Sequence, residues 1–108
     1  MILYGLKNCD TCRKAQKALM AAGHEVTFRD VRDEPLSQAE IAGFHTAFGD
    51  RLINRASTTW RGLSEYERGG PPEALLAAHP ALMKRPVIDH DGHLTLGWGK
   101  DVQAEFLA

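Results

Sequence analysis

Two cysteines, Cys9 and Cys12, are the residues of this 108-residue chain whose type and spacing best suit covalent chemistry. The residues before them have the pattern of a short buried strand, and those after them have the pattern of an amphipathic helix. Cys9 is therefore expected at a helix N-terminus, where unpaired backbone N–H groups and the helix dipole favour an anion. A thiol in that position ionises more readily, and the thiolate is the form that attacks disulfides and electrophilic oxyanions.

The Cys-x-x-Cys spacing is compatible with a redox site, a zinc site or simple packing in the core. Such a pair between the first strand and first helix of a βαβ unit is typical of a thioredoxin-like redox site. A zinc site is disfavoured because His90 and His93 lie far from the cysteines, outside the spacing of zinc fingers, and we expect no bound metal. Simple packing in the core fits Cys12, which falls on the apolar face of the helix, but not Cys9. We therefore expect Cys9 to be reactive and leave both roles open for Cys12.

Several basic residues could assist a thiolate. Arg85 precedes the predicted third strand, and Arg55 and Arg61 flank a threonine-rich segment. A guanidinium beside Cys9 would stabilise the negative sulfur and bind an oxyanion or carboxylate through two hydrogen bonds. Lys7 lies near Cys9 in sequence and could add positive charge. The alternative for each arginine is an ordinary solvated surface position.

The composition limits the possible classes of protein. With 44% apolar residues and a net charge of −1, the chain can bury a core and has no block of like charge. This argues against a constitutive nucleic-acid or membrane-surface binder. We find neither a stretch long enough to span a membrane nor a signal peptide, and expect a cytoplasmic protein. The length predicts a single domain, residues 1–108, and we expect a monomer.

The hydrophobic pattern predicts an α/β protein with the element order βαβ, a helical insertion at about 36–84, and ββα. Four strands with helices around them would form an α/β sandwich. Predicted strands cover 2–4, 26–29, 86–88 and 94–96, and predicted helices cover 11–22, 37–48 and 73–78, with a last helix around Val102 and Phe106. Residues 51–55 are expected to add a short helical turn, and residues 57–61 are expected to be irregular. Asp91-Gly92 predicts a tight hairpin turn.

A set of short motifs spread over the whole chain resembles a known family. They are Leu3-Tyr4-Gly5-Leu6-Lys7-Asn8-Cys9-Asp10-Thr11, Arg13-Lys14-Ala15, Leu52-Ile53-Asn54-Arg55, Thr58-Thr59-Trp60-Arg61, His79-Pro80, Met83-Lys84-Arg85-Pro86-Val87 and Leu96-Gly97-Trp98. Together they resemble the arsenate reductase (ArsC) family, which also includes the Spx regulators and the YffB-type proteins, and they are most similar to the YffB branch. The resemblance implies a thioredoxin-like fold with a helical insertion and a four-stranded mixed sheet.

The resemblance also implies roles for individual residues. Cys9 corresponds to the nucleophilic cysteine of the family. Arg55 and Arg85 correspond to two of the three arginines that hold the oxyanion in arsenate reductases, whereas the third would fall near Gly97, where this chain has no arginine. In thioredoxin-like proteins a cis proline begins the third strand and faces the cysteine, and Pro86 occupies that place. The expected catalytic residues are Cys9, Cys12, Arg55 and Arg85, and the expected substrate-binding residues are Lys7, Asn8, Thr11, Arg61, Pro86 and Gly97.

The resemblance implies two functions of different kinds. YffB-type proteins are regarded as glutathione-dependent thiol reductases, so we expect an enzyme that uses glutathione as co-substrate and reduces a small thiol, disulfide or oxyanion such as arsenate, with glutaredoxin as a possible partner. Spx proteins also have a second cysteine at the position of Cys12 and use the pair as a redox switch while binding the C-terminal domain of the RNA polymerase α-subunit. A redox-sensing regulator is therefore the alternative.

Overall fold

The structure, a computed structural model, describes residues 1–107. The chain divides into two compact units. The first consists of Met1–Val31 and the chain from Arg85 onward, and the second is Arg32–Lys84.

A four-stranded mixed sheet forms the centre of the first unit, with the strand order β2-β1-β3-β4. Its strands are β1 (Ile2–Gly5), β2 (Thr27–Asp30), β3 (Val87–His90) and β4 (His93–Leu96). β1 runs parallel to β2 and antiparallel to β3, and β4 pairs with β3 in an antiparallel hairpin. The predicted turn at Asp91-Gly92 is present, with φ values of 53° and 89°, because a two-residue hairpin of this kind requires positive φ at both positions.

One face of this sheet is covered by α1 (Asp10–Ala21) and α6 (Lys100–Leu107). Leu3 of β1 lies opposite Phe28 on one side and Ile88 on the other, so their side chains share this face. The buried core consists of Leu3, Cys12, Ala15, Leu19, Ile88, Val102 and Phe106. Each fully buried leucine or isoleucine contributes about 1.5–3 kcal/mol by leaving water, which fixes α1 against β1.

The turn between β1 and α1 is held by backbone hydrogen bonds. The N–H of Cys9 donates to the carbonyl of Leu6 at 3.1 Å, which closes a four-residue turn. The N–H of Lys7 donates to Oδ2 of Asp30 at 2.8 Å, and this carboxylate is buried. These two bonds hold the turn before Cys9 against the end of β2.

The second unit is built of short helices. They are α2 (Gln38–Phe48), α3 (Thr58–Arg61), α4 (Glu65–Arg68) and α5 (Pro72–Ala78), with 3₁₀ turns at Gly49–Leu52 and Pro80–Leu82. Serine side chains begin three of these helices by accepting a backbone N–H of the first turn, at Ser37, Ser57 and Ser64. α2 packs against α5, and an isolated bridge joins Ile53 to Met83.

The predicted order of elements, βαβ, helical segment and ββα, is confirmed. The prediction of an irregular segment at residues 57–61 is wrong, because α3 forms there. The hydroxyl of Ser57 accepts the N–H of Trp60 at 3.1 Å and gives this polar segment a helix start that its composition hides. The predicted helical turn at 51–55 forms slightly earlier, at Gly49–Leu52. Over residues 1–107, no helix has the length and apolar character needed to span a membrane.

Candidate functional site

Cys9 is the N-cap residue of α1 and is half-buried. Its backbone is extended, with φ −94° and ψ 116°, and its carbonyl accepts the N–H of Arg13 at 3.1 Å, which is the first hydrogen bond of the helix. The sulfur therefore lies at the end of α1 where the backbone N–H groups have no helical partner. This is the position that the sequence pattern predicts for Cys9.

The surroundings of Cys9 favour its thiolate. Partial burial raises the pKa of the Cys9 thiol, but the backbone N–H and thiol of Cys12, together with the guanidinium of Arg85, outweigh burial and lower the pKa below its ordinary value of 9.0. The Cys9 side chain makes no cap hydrogen bond in the structure, and the N–H of Cys12 favours the charged form of its sulfur. An anionic acceptor attracts such donors more strongly than a neutral one.

Cys12 has the opposite character. Its side chain is inaccessible to solvent, and burial together with the neighbouring charge of Cys9 raises its pKa to about 12, although the N–H of Leu6 and the charge of Arg85 act in the opposite direction. A methyl group built on Gly5 would lie 2.5 Å from Sγ of Cys12, so β1 and α1 approach closely only because position 5 is glycine. Cys12 is therefore a protonated neighbour of Cys9, and an external molecule can exchange with it only through Cys9.

Arg85 is the residue of the C-terminal segment that lies beside the cysteines. Arg85 is half-buried and interacts with both cysteines, and the peptide bond between Arg85 and Pro86 is cis. The carbonyl of Pro86 accepts the N–H of Gly97 at 2.8 Å. Gly97 has a φ of +82°, a conformation that an L-amino acid side chain strains. The structure thus brings Cys9, Cys12 and Arg85 together. Pro86 follows Arg85 in the chain and Gly97 is bonded to Pro86, and the substrate-binding roles of these two residues stay predictions.

The remaining predicted residues of the first unit are exposed. Lys7 and Asn8 are the two central residues of the turn before Cys9, and Thr11 lies in the first turn of α1. Thr11 follows Asp10, whose carboxylate pairs with the guanidinium of Arg13. These positions place a cation and two polar side chains around the start of α1, and their roles in substrate binding stay predictions.

Arg55 and Arg61 lie in the second unit, where each has contacts of its own. The Arg55 guanidinium lies 5.3 Å from the centre of the Trp60 ring and donates to the carbonyl of Asp50 at 3.5 Å. The carbonyl of Arg61 accepts a hydrogen bond from Nη2 of Arg68 at 2.9 Å. A role for Arg55 or Arg61 beside the thiolate stays a prediction from the resemblance.

Two positions that matter to this site are absent from the predicted set. Asp30 fixes the turn through the N–H of Lys7, and Gly5 admits the sulfur of Cys12. A charged residue at the end of an otherwise alternating strand was the available signal for Asp30. For Gly5 no signal exists beyond a glycine at the end of a buried strand, which often marks a close approach. No three histidine, cysteine, aspartate or glutamate side chains group as a metal site among residues 1–107.

Comparison with known proteins agrees with this geometry. The family model of the ArsC family matches residues 4–106. The chain belongs to the ArsC family. The match covers the cysteine turn, the second unit and both C-terminal strands, so the resemblance found in the sequence is confirmed, and the mixed sheet is the thioredoxin-like fold expected from it.

Proteins named Spx and YFFB are both among those similar to this chain. An uncharacterized protein of Haemophilus influenzae is 39% identical over 96% of each chain, and the global transcriptional regulator Spx of Bacillus subtilis is 33% identical over 97% of this chain and 85% of its own. Among solved structures, a YFFB protein has a TM-score of 0.89 and 32% identity, covering 99% of this chain and 98% of that one. An arsenate reductase (ArsC) related protein of Brucella melitensis has a TM-score of 0.76 and 37% identity, covering 96% and 90%.

Proposed function

We propose that this protein is a thiol oxidoreductase in which the Cys9 thiolate attacks a disulfide, with glutathione as co-substrate. One observation carries the proposal: Cys9 lies at the N-terminus of α1 beside the Arg85 guanidinium and the Cys12 donors, and these groups lower its pKa. A lowered thiol pKa brings no benefit to a structural cysteine, whereas a larger thiolate fraction makes a nucleophilic cysteine more reactive.

The reaction proceeds by thiol–disulfide exchange. The Cys9 thiolate attacks the glutathione sulfur of a mixed disulfide, the original S–S bond breaks, and the electron pair leaves on the other sulfur, which takes a proton from water. Reduced glutathione, as its thiolate, then attacks the glutathione sulfur of the Cys9 adduct, the bond to Cys9 breaks, and oxidised glutathione and the Cys9 thiolate are released. Arg85 holds negative charge near the sulfur, and the carboxylates of glutathione suit its two-pronged hydrogen bonding.

Cys12 serves this proposal as a donor rather than as the nucleophile. With a pKa raised to about 12 by burial, it stays protonated near neutral pH and stabilises the charge on Cys9. A Cys9–Cys12 disulfide is the competing outcome, because a cysteine in the first turn of a helix lies near enough to an N-cap cysteine to permit a bridge.

Intact mass spectrometry after exposure to oxidised glutathione tests the proposal, with Cys9→Ser and Cys12→Ser as a matched pair. We expect one glutathione adduct on the wild-type protein, the same adduct on Cys12→Ser, and none on Cys9→Ser. The rate of glutathione-dependent thiol transfer should fall to the uncatalysed rate in Cys9→Ser. Retained activity in that variant would refute Cys9 as the nucleophile, and loss of two hydrogens without an adduct would indicate an internal disulfide.

Arsenate is a less suitable substrate within this proposal. The resemblance assigns three arginines to oxyanion binding, and the third position is Gly97, which has no charge. Arsenate-dependent oxidation of glutathione, coupled to a glutaredoxin, measures this activity directly. We expect it to be much weaker than disulfide exchange.

A redox-sensing regulator is the second candidate. It is favoured by the paired cysteines and by the 33% identity to a global transcriptional regulator Spx. In this case oxidation of the pair would change the affinity for the C-terminal domain of the RNA polymerase α-subunit. A pull-down with that domain, comparing reduced and oxidised protein, distinguishes the two candidates, because the enzyme alone predicts no redox-dependent binding.

A further inference from the structure

The outer side of α1 carries two adjoining grooves. The larger, of about 530 Å³, is lined by Asp10, Arg13, Lys14, Gln16, Lys17 and Met20. The smaller, of about 300 Å³, is lined by Lys7, Arg13, Gln16 and Phe28. Because Arg13 and Gln16 line both, the two form one surface, which we call the α1 groove. It begins beside Asp10, the residue that follows Cys9.

The α1 groove is positively charged in a chain whose net charge is −1. Lys7, Arg13, Lys14 and Lys17 contribute four cations, whereas Asp10 contributes one carboxylate, which Arg13 already pairs. Within residues 1–107, the side chains of Lys14 and Lys17 take part in no hydrogen bond or ion pair. The excess of positive charge is therefore local to this surface and complements an acidic ligand.

The same groove has apolar surface. Met20 is 57% exposed, and Phe28 is half-buried on the sheet side of α1. An exposed methionine adapts to side chains of varied shape, which suits a surface that accepts more than one partner. Cations alternating with apolar surface match a polypeptide with acidic and apolar side chains better than a ligand that carries charge alone.

The length of the groove indicates the size of its occupant. From Asp10 to Met20 the helix rises about 15 Å, which corresponds to about five residues of extended chain. Glutathione is a tripeptide whose sulfur must reach Cys9, so it would occupy only the beginning of this surface. A longer polypeptide can place its own cysteine at Cys9 and lie along α1 beyond it.

We propose that the α1 groove docks an acidic polypeptide segment whose adjacent glutathionylated cysteine is the substrate of Cys9. This rests on the proposed function and names its substrate class. The Cys9 thiolate attacks the glutathione sulfur, the bond between glutathione and the peptide cysteine breaks, and the peptide leaves as a thiolate that takes a proton from water. Reduced glutathione then restores Cys9 and becomes oxidised glutathione, so that electrons and sulfur atoms balance.

Binding is tested without the chemistry in the Cys9→Ser protein, by NMR titration with two peptides of equal length in which serine replaces cysteine. One peptide carries glutamate at four positions, and the other carries glutamine there. We expect the acidic peptide to shift the amide signals of α1, to bind about fivefold more tightly than the neutral one, and to weaken with salt. The double change Lys14→Glu and Lys17→Glu should remove the preference, whereas Lys100→Glu, at the start of α6, should leave it.

Equal affinity for the two peptides, or shifts confined to elements other than α1, would overturn the proposal. A single-stranded oligonucleotide of equal charge serves as a competitor. If it displaces the acidic peptide at equal concentration, the surface recognises charge alone, and the proposal of a polypeptide ligand is wrong.

Turnover separates this proposal from the proposed function. The wild-type protein is given glutathionylated forms of both peptides, and kcat/KM for the acidic one should exceed that for the neutral one by about fivefold. Turnover of both at one rate would refute the groove and leave the thiol chemistry intact. Charge-dependent binding without any turnover would support the groove and refute the proposed function.

Discussion

Helices α1 and α2 have nearly equal lengths, 12 and 11 residues, but begin in opposite ways. α2 begins with a complete capping box, in which Ser37 and Glu40 each accept the other's backbone N–H. α1 begins at Cys9, whose neutral thiol makes no cap hydrogen bond. An N-cap serine contributes about 1 kcal/mol, so α1 lacks stabilisation that α2 has and leaves its N–H groups to a charged sulfur.

This difference links the charge of Cys9 to the stability of α1. When Cys9 ionises, the N–H of Cys12 gains an anionic acceptor, so the missing cap forms together with the reactive thiolate. In α2 the hydrogen bond from the N–H of Glu40 to the Ser37 hydroxyl does not depend on pH in this way, because that hydroxyl does not titrate in the accessible range. The helix that supports the chemistry is thus the one whose start depends on protonation.

The largest effect is expected from replacing a glycine by alanine, once in the strand beneath α1 and once inside α2. Gly5→Ala, beneath α1, should lower the free energy of unfolding by about 1–3 kcal/mol, because the new Cβ would lie 2.5 Å from Sγ of Cys12. Gly43→Ala, inside α2, should raise it by about 0.5–1 kcal/mol, because the new Cβ would meet nothing within 4 Å beyond its chain neighbours and the backbone of its own helix. Urea unfolding measures both, and effects of the same sign would contradict the difference in packing.

A smaller effect, on the pKa of Cys9, is expected from replacing the arginine that lies beside it. Arg85→Ala should raise the pKa of Cys9 and slow its alkylation near pH 7 severalfold, because a hydrogen bond and a positive charge are lost from the thiolate. Arg85→Lys keeps the charge and should retain part of the effect. Alkylation rates as a function of pH measure the pKa. Arg55→Ala is measured alongside, and an equal shift in that variant would show that the second unit also contributes a cation to Cys9.

The two helix starts should also respond differently to replacement. Ser37→Ala should lower the free energy of unfolding by about 1 kcal/mol at all pH values. Cys9→Ser should raise the free energy of unfolding by up to about 1 kcal/mol in acid, because a serine hydroxyl caps the start of a helix whereas a neutral cysteine thiol does not. Since the folded pKa of Cys9 is lowered, its ionisation stabilises the fold as pH rises toward 9.0, so the advantage of serine should shrink over that range. An advantage independent of pH would contradict capping by the thiolate.

The last effect is absent near neutral pH and concerns Cys12 in alkali. Its folded pKa is raised to about 12 from an ordinary 9.0, so the unfolded chain loses this proton first, and stability decreases as pH rises from 9.0 toward 12. Cys12→Ala should make the decrease shallower, while the absolute stability falls through lost packing. Unfolding measured at several alkaline pH values gives the slope, and identical slopes in the two proteins would exclude the raised pKa.

Local patterns in the sequence predict much of this fold. Alternation and helical spacing locate the strands and the longer helices, and the serine–glutamate pair predicts the start of α2. They also place Cys9 at a helix N-terminus, because that inference needs only neighbouring residues. What they miss depends on contacts between distant segments: the Lys7 bond to Asp30 spans 23 positions, and the approach of Cys12 to Gly5 depends on how α1 packs on β1.

Gly97 limits how this chain could change by mutation. A glycine codon becomes an arginine codon by one base change, so an arginine at this position is within easy genetic reach. The backbone there has a φ of +82°, however, and any side chain would strain it. A third arginine would therefore require an earlier change in the turn between β4 and α6. The shape of one turn, rather than the genetic code, therefore keeps an arginine from the position near which the resemblance to arsenate reductases places their third oxyanion-binding arginine.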